Sequence, residues 1–190
     1  MMSLRVIAGS AKGKRLKPVP GDSTRPIMDR VKEALFSILG PHIVGSQLLD
    51  LYAGTGSVGI EALSRGAKFA LFNELDRKAL QTIRANLKTT SLEENAQVLG
   101  MDALSLIKKS PERDYDYIYI APPQYKGLWL ETLKQLDANP AWVAGDTVVI
   151  VQIDPSEDEA VFFDNIQEYD RRVYGKTLLI FYERLITNSN

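Results

Sequence analysis

QLLDLYAGTGSVG, residues 47–59, is the stretch on which the fold turns. QLLDLYA has the length and apolar content of a buried strand. It ends at Gly54-Thr55-Gly56-Ser57-Val58-Gly59, and SVGIEALSRG continues as a helix. The pattern is G-x-G-x-x-G, set between a strand and a helix, the context that gives it meaning. Such glycines allow a tight turn and let a ligand approach the backbone closely. The first turn of the helix adds unpaired N–H groups and a partial positive charge.

Outward from this loop the chain alternates. KFALFNE reads as a second strand, DRKALQTIRANLKTT as a helix and NAQVLGM as a third strand, with a short helix after Asp102. Tyr115–Ala121 is a fourth strand, LWLETLKQLD a helix and DTVVIVQI a fifth strand. This order predicts an α/β fold with right-handed crossovers and a mostly parallel, Rossmann-like sheet in three α-β-α layers. The end departs from it. IQEYDRRVYGKTLLIFYERL has two strand patterns around Gly175 and no helix between them, so the last strand should run antiparallel. Upstream, residues 4–19 read as a β-hairpin with Lys and Arg at its tip. Val31, Ala34, Leu35, Ile38 and Leu39 then follow helical spacing up to Gly40-Pro41. No repeat or linker interrupts the chain. The expectation is one domain, 1–190, with 1–40 a hairpin-and-helix extension and 41–190 the core.

The composition narrows the chemistry. With 190 residues, 45% hydrophobic and 25% charged, the chain is an ordinary globular one. It has no cysteine and one histidine, His42, so disulfides, Cys-ligated zinc and Ser-His catalysis are set aside, and no metal is expected. No stretch is apolar for long enough to cross a membrane, and the start carries no signal-peptide pattern, so a cytoplasmic location is expected. The net charge of −1 divides into +5 over residues 1–40 and −6 over the rest. A basic front on an acidic body suits a polyanionic partner; a solvated surface is the alternative.

Three carboxylates fall at successive strand ends. Glu74 closes the second strand, where a carboxylate can take both ribose hydroxyls of an adenine nucleotide. Asp102 follows the third strand, where the adenine edge should lie. Asp50 closes the first strand, four residues before Gly54. A turn with no ligand, a dinucleotide such as NAD and S-adenosylmethionine (SAM) are the readings to separate. A carboxylate beside the loop repels a pyrophosphate and attracts the ammonium of SAM's methionine part. Asp50 and the antiparallel end of the sheet therefore favour SAM.

Several blocks together resemble one family. IAGSAKGKRL, RPIMDRVKEALFSIL, DLYAGTGSVGIEALSRGA, NELDRKALQTIRANL, the acid in GMDAL and APPQY are similar to bacterial 16S rRNA guanine-N2 methyltransferases of the RsmD type, in family order over nearly the whole chain. The resemblance implies a class I SAM-dependent methyltransferase fold with seven strands, the seventh antiparallel. Nothing in the sequence fixes the oligomeric state, and a monomer is expected; the resemblance implies methyl transfer from SAM to N2 of a guanine in 16S rRNA, within a small ribosomal subunit. By position, it places Asp50, Tyr52, Ala53, Gly54, Gly56 and Ser57 around the methionine and ribose of SAM. Glu74 and Leu75 fall at the ribose, and Asp102 with Ala103 at the adenine. Lys12, Lys14, Arg15, Arg25 and Arg30 would face RNA. The other functions to weigh are an RNA-binding protein of this fold without catalysis and an NAD(P)-binding oxidoreductase.

Two departures stand out. Ile27-Met28 replaces the Thr-Thr usual after Arg-Pro. More consequentially, the family's catalytic corner is Asp-Pro-Pro followed by an aromatic residue. Here it is Ala121-Pro122-Pro123-Gln124-Tyr125, without the acid and with the aromatic one place late. An exocyclic amine is a poor nucleophile, and acceptors aimed at its hydrogens help it. Carbonyls of Ala121 and Pro122 and the side chain of Gln124 are the candidate acceptors. Tyr125 is the candidate stacking face. Glu93-Glu94 and Glu157-Asp158-Glu159 read as solvated loop or helix-start charges, and His42 as a loop residue. Tyr117 and Tyr119 read as core. Trp129 and Leu130 read as a packing face, with Trp129 a possible rim residue.

Overall fold

The computed structural model describes residues 4–21 and 27–185. Its strands are β1 (Gln47–Asp50), β2 (Phe69–Asn73), β3 (Ala96–Leu99), β4 (Tyr117–Ile120), β5 (Val148–Ile153), β6 (Ile166–Tyr174) and β7 (Thr177–Arg184). Its helices are α1 (Asp29–Leu39), α2 (Ser57–Ser64), α3 (Arg77–Thr90), α4 (Ala103–Ile107) and α5 (Leu128–Ala138). The sheet has seven strands in the order β3-β2-β1-β4-β5-β7-β6. The chain forms two compact units, Met1–Asp102 and Ala103–Asn190.

In the first unit β1, β2 and β3 are parallel, with Leu48 opposite Ala70, Asp50 opposite Phe72 and Asn73 opposite Leu99. Parallel strands are covered on both faces, which is why β1 and β2 read as nearly unbroken apolar runs. Every residue of α2 is buried. Gly59 lets this helix sit against β2: a Cβ there would lie 2.3 Å from the Phe72 ring. α3 has the usual amphipathic pattern. Its Asp76 cap accepts from the Ala79 amide, and Ala79, Ile83 and Leu87 face inward.

In the second unit β4 and β5 are parallel, and all of β4 is buried. β7 is antiparallel to both β5 and β6, so the terminal hairpin has the expected sense. A bulge at Glu168/Asp170 shifts the register of β6. Tyr117, Tyr119 and Trp129 are all buried, which places Trp129 in the packing face of α5 rather than at a rim.

The N-terminal segment forms a shorter hairpin than its reading. Leu16 N to Leu4 O, Val6 N to Lys14 O and Gly13 N to Val6 O, at 2.8, 3.0 and 2.9 Å, pair residues 4–6 with 13–16 around the antiparallel Arg5–Arg15 bridge. The backbone groups that a longer hairpin would pair are used elsewhere. Ile7 and Ala8 donate to the Glu61 carboxylate, and Ser10 and Ala11 donate to the Ser64 carbonyl and hydroxyl. Among the described residues, no helix is long and apolar enough to cross a membrane.

Candidate functional site

In the first unit the candidate cofactor residues gather where β1 and β2 end. Gly54 and Gly56 take φ of 53° and 77°, the left-handed region open to glycine, and Gly56 caps α2. The Gly54 amide donates to Glu74 Oε2 at 2.8 Å. Glu74 Oε1 accepts from the Leu75 and Asp76 amides at 2.8 and 3.0 Å. Three N–H groups thus orient this carboxylate, and a carboxylate has about four acceptor positions. Capacity remains for a hydroxyl donor beside the loop.

Asp50 is the most unusual group of the site. It is 1% exposed, and its Oδ1 has no hydrogen-bond partner among the described residues. Burial pushes its carboxyl up to about 7, the Gly59 amide opposes the shift, and the Glu74 charge adds to it. A buried acceptor without a donor is costly, so this atom calls for a donor or a cation from outside the chain. An ammonium group is both. The residues present fit the methionine end of SAM at Asp50 and its ribose at Glu74. Asp102 is exposed at the end of the unit, Tyr52 is half-buried and Leu75 is exposed. Ala103 is buried at the start of α4, in the second unit.

Sequence reading missed five residues that shape this site. Asn73, 1% exposed, donates to the Leu51 and Met101 carbonyls and accepts from the Met101 amide, tying the ends of the strands. Asn86 on α3 donates to the Thr55 carbonyl of the loop and exchanges two hydrogen bonds with the Lys17 backbone. Lys32 on α1 and Glu61 on α2 form an ion pair at 3.4 Å, both with fully buried side chains. Lys32 Nζ also donates to the Ser57 hydroxyl at 3.0 Å and to the Arg5 carbonyl at 2.6 Å. Burial lowers the Lys32 pKa, and Glu61 opposes the shift. Arg65 completes the cluster, reaching Glu61 Oε1 at 2.8 Å with its guanidinium over the Phe36 ring. The signal that was available is charge inside apolar patterns, at Lys32 within VKEALF and Glu61 within VGIEAL.

The basic front is narrower than its charge count. Lys32 is interior, and Arg5 pairs with Asp29 at 3.3 Å. Lys12, Lys14, Arg15 and Arg30 are exposed, while Arg25 lies outside the described residues. The inner side of the arm is bound to α2, and Gly9 sits so close that a Cβ would fall 1.8 Å from the Ser64 carbonyl oxygen.

In the second unit the corner begins one residue after β4. Ala121 and Gln124 are half-buried, Pro122 is buried and Pro123 is exposed. Tyr125 is 67% exposed and has φ of 60°; Ser91 is the other non-glycine residue with positive φ among those described. The Tyr125 amide donates to Glu157 Oε2 at 2.7 Å. Glu157 is therefore bound to the corner, which corrects its reading as a solvated charge, whereas Asp158 is exposed and pairs with Arg171 at the surface at 2.7 Å. Among the described residues, no group of three or more His, Asp or Glu is placed to hold a metal.

Comparison with known proteins accounts for this frame. A family model described as "Conserved hypothetical protein 95" matches residues 4–183. YlbH of Bacillus subtilis strain 168 is 37% identical over 183 residues, which is 95% of this chain and 99% of that one. Ribosomal RNA small subunit methyltransferase D of Escherichia coli K12 is 35% identical over 184 residues, 95% of this chain and 90% of that one. The solved structure of yhhF from Escherichia coli aligns with a TM-score of 0.83 at 33% identity, over 96% of this chain and 98% of that one. The strand order, the glycine loop and the near-complete coverage point the same way. The chain belongs to the Conserved hypothetical protein 95 family, which includes ribosomal RNA small subunit methyltransferase D, and has the class I methyltransferase fold.

Proposed function

We propose that this protein methylates the exocyclic N2 of a guanine in 16S rRNA, with SAM as methyl donor. It acts on the small ribosomal subunit as a cytoplasmic monomer, and both units serve one methyltransferase domain. The observation that carries the reading is the buried Asp50, whose orphaned Oδ1 lies at the foot of a glycine loop held by Glu74. A pyrophosphate would meet two carboxylates there; an ammonium and a ribose would each find an acceptor. The relatives' names supply the RNA class.

SAM, when bound, supplies an electrophilic methyl group on a sulfonium. The chain's own residues hold and orient. Asp50 binds the ammonium, Glu74 accepts from a ribose hydroxyl with the capacity its three backbone donors leave, and Asp102 with Ala103 holds the adenine. Carbonyls of Ala121 and Pro122 and the Gln124 side chain accept the N–H hydrogens of the target amine, which keeps its lone pair available. Proline at 122 and 123 fixes φ, so these carbonyl directions are rigid. Tyr125 stacks on the base. Attack of the amine nitrogen on that methyl group would leave S-adenosylhomocysteine, and the amine proton would pass to water.

One observation favours a second reading. Position 121 carries no carboxylate, so an RNA-binding protein without catalysis is the competitor. Labelled SAM with unmethylated small subunits separates the two, using wild type beside Ala121→Asp. The expected result is measurable transfer by wild type. A gain of up to ~10²–10³ in Ala121→Asp is the size associated with one charged acceptor at a developing charge. SAM binding without any transfer by wild type would favour the competitor. S-adenosylhomocysteine at 100 times its Kd should stabilise the fold by ~2.7 kcal/mol, a rise of about 5–10 °C in Tm. Stabilisation by NADH instead would overturn the SAM assignment.

A further inference from the structure

The corner lacks its own acid, yet an acid reaches it from the loop after β5. The Tyr125 amide donates to Glu157 Oε2 at 2.7 Å, a hydrogen bond to a charged acceptor. Glu157 is in turn fixed by its own amide, which donates to the Asp154 carbonyl at 2.9 Å. Asp154 is fixed by the Ser156 amide and hydroxyl at 2.9 and 2.7 Å, and these bonds hold its pKa below the usual range. The loop after β5 thus grips the tyrosine at its backbone.

The tyrosine needs that grip. Its φ of 60° is a conformation that glycine or asparagine adopts cheaply and a bulky side chain does not. Two residues on, Gly127 repeats the left-handed turn at φ 66° and caps α5. Glycine at 125 would complete the turn without strain. A strained residue persists where its surroundings over-determine it, and here the ring that results is 67% exposed. Glu157 is half-buried, and its Oε1 is shielded from solvent without a partner among the described residues.

We infer that Glu157 is a positioning residue for the methyl-transfer reaction: it holds Tyr125 in the left-handed conformation that presents the ring to the target base. The inference rests on the methyltransferase reading above. It explains how the aromatic can function one place late. The extra residue is absorbed by a left-handed turn, and the carboxylate that locks the turn comes from 32 positions downstream.

The test is a double-mutant cycle of Tyr125→Ala and Glu157→Ala, read as kcat and KM for unmethylated small subunits, with S-adenosylhomocysteine affinity and Tm in parallel. Glu157→Gln is the gentler variant, since its amide oxygen still accepts. Each alanine variant should lower kcat/KM by about 10-fold or more, the scale of one base–aromatic stack, mainly through KM for the subunit. The double variant should lose no more than the Tyr125→Ala single, because Glu157 acts through the ring. Glu157→Gln should fall between wild type and Glu157→Ala. S-adenosylhomocysteine affinity should not change, as Asp50 and Glu74 are untouched. Losses that add in the double variant, or an unchanged kcat/KM in a folded Glu157→Ala or Glu157→Gln, would overturn the inference. Wild type without transfer would instead sink the methyltransferase reading, and the cycle would then be run on equilibrium binding of a single-stranded guanine-containing RNA, with the same non-additivity required.

Discussion

Asp50 joins the stability of the fold to its ligand chemistry at one side chain. An unfolded aspartate ionises near pH 4, whereas the folded one retains its proton up to about 7. Between these values the native state binds more protons than the unfolded state, so the Asp50 contribution to stability falls as pH rises from about 4 to 7 and is flat beyond. Asp50→Asn removes the ionisable group. The difference in unfolding free energy between wild type and Asp50→Asn, followed by urea titration, should therefore drift against wild type across that window. Binding of S-adenosylhomocysteine should have the opposite slope in wild type, tightening as the carboxylate ionises toward pH 7 and above, and should lose that slope in Asp50→Asn. The acid and its distance from Gly54 were legible in the sequence. Its orphaned oxygen was not, because that depends on which donors the fold brings near it.

At the scale of elements, the N-terminal arm and α2 behave as one piece. A residue pattern can announce a hairpin from local alternation, but hydrogen bonds from Ile7, Ala8, Ser10 and Ala11 to α2 span more than 50 residues. Two glycines of the arm separate the cost of backbone strain from the cost of contact. Gly9 and Gly13 have φ of 84° and 82°, but a Cβ at Gly9 would meet the Ser64 backbone at 1.8 Å and one at Gly13 would meet nothing within 4 Å. Gly13→Ala should cost about 1–2 kcal/mol, the left-handed penalty alone. Gly9→Ala should cost clearly more, with a correspondingly larger fall in Tm, since the arm must lift off α2. Equal losses in the two variants would mean that the arm is not seated as described. The same arm contacts α1 through Lys32 and the glycine loop through Asn86, so its displacement should also weaken S-adenosylhomocysteine binding.

For the whole molecule, charge decides how it meets a polyanion. A net charge of −1 gives RNA no overall attraction, and on the proposed reading the exposed basic residues Lys12, Lys14, Arg15 and Arg30 are the candidate phosphate contacts. Lys12→Ala/Lys14→Ala/Arg15→Ala should weaken binding to small-subunit RNA. It should also flatten the plot of log K against log salt by about 2 if each residue neutralises one phosphate. S-adenosylhomocysteine binding should be unaffected, which a titration of both ligands would check. The sequence alone determined the order of strands and helices, the glycine loop, the three carboxylates at strand ends and the sense of the terminal hairpin. These follow from periodicities and turn residues within about twenty positions of one another. Only the tertiary structure decided that Lys32 is interior, that Asn73 and Asn86 lash the loop, and that Glu157 grips Tyr125. Each of those partners lies 20 or more positions away, and topology rather than local pattern determines which distant side chains become neighbours.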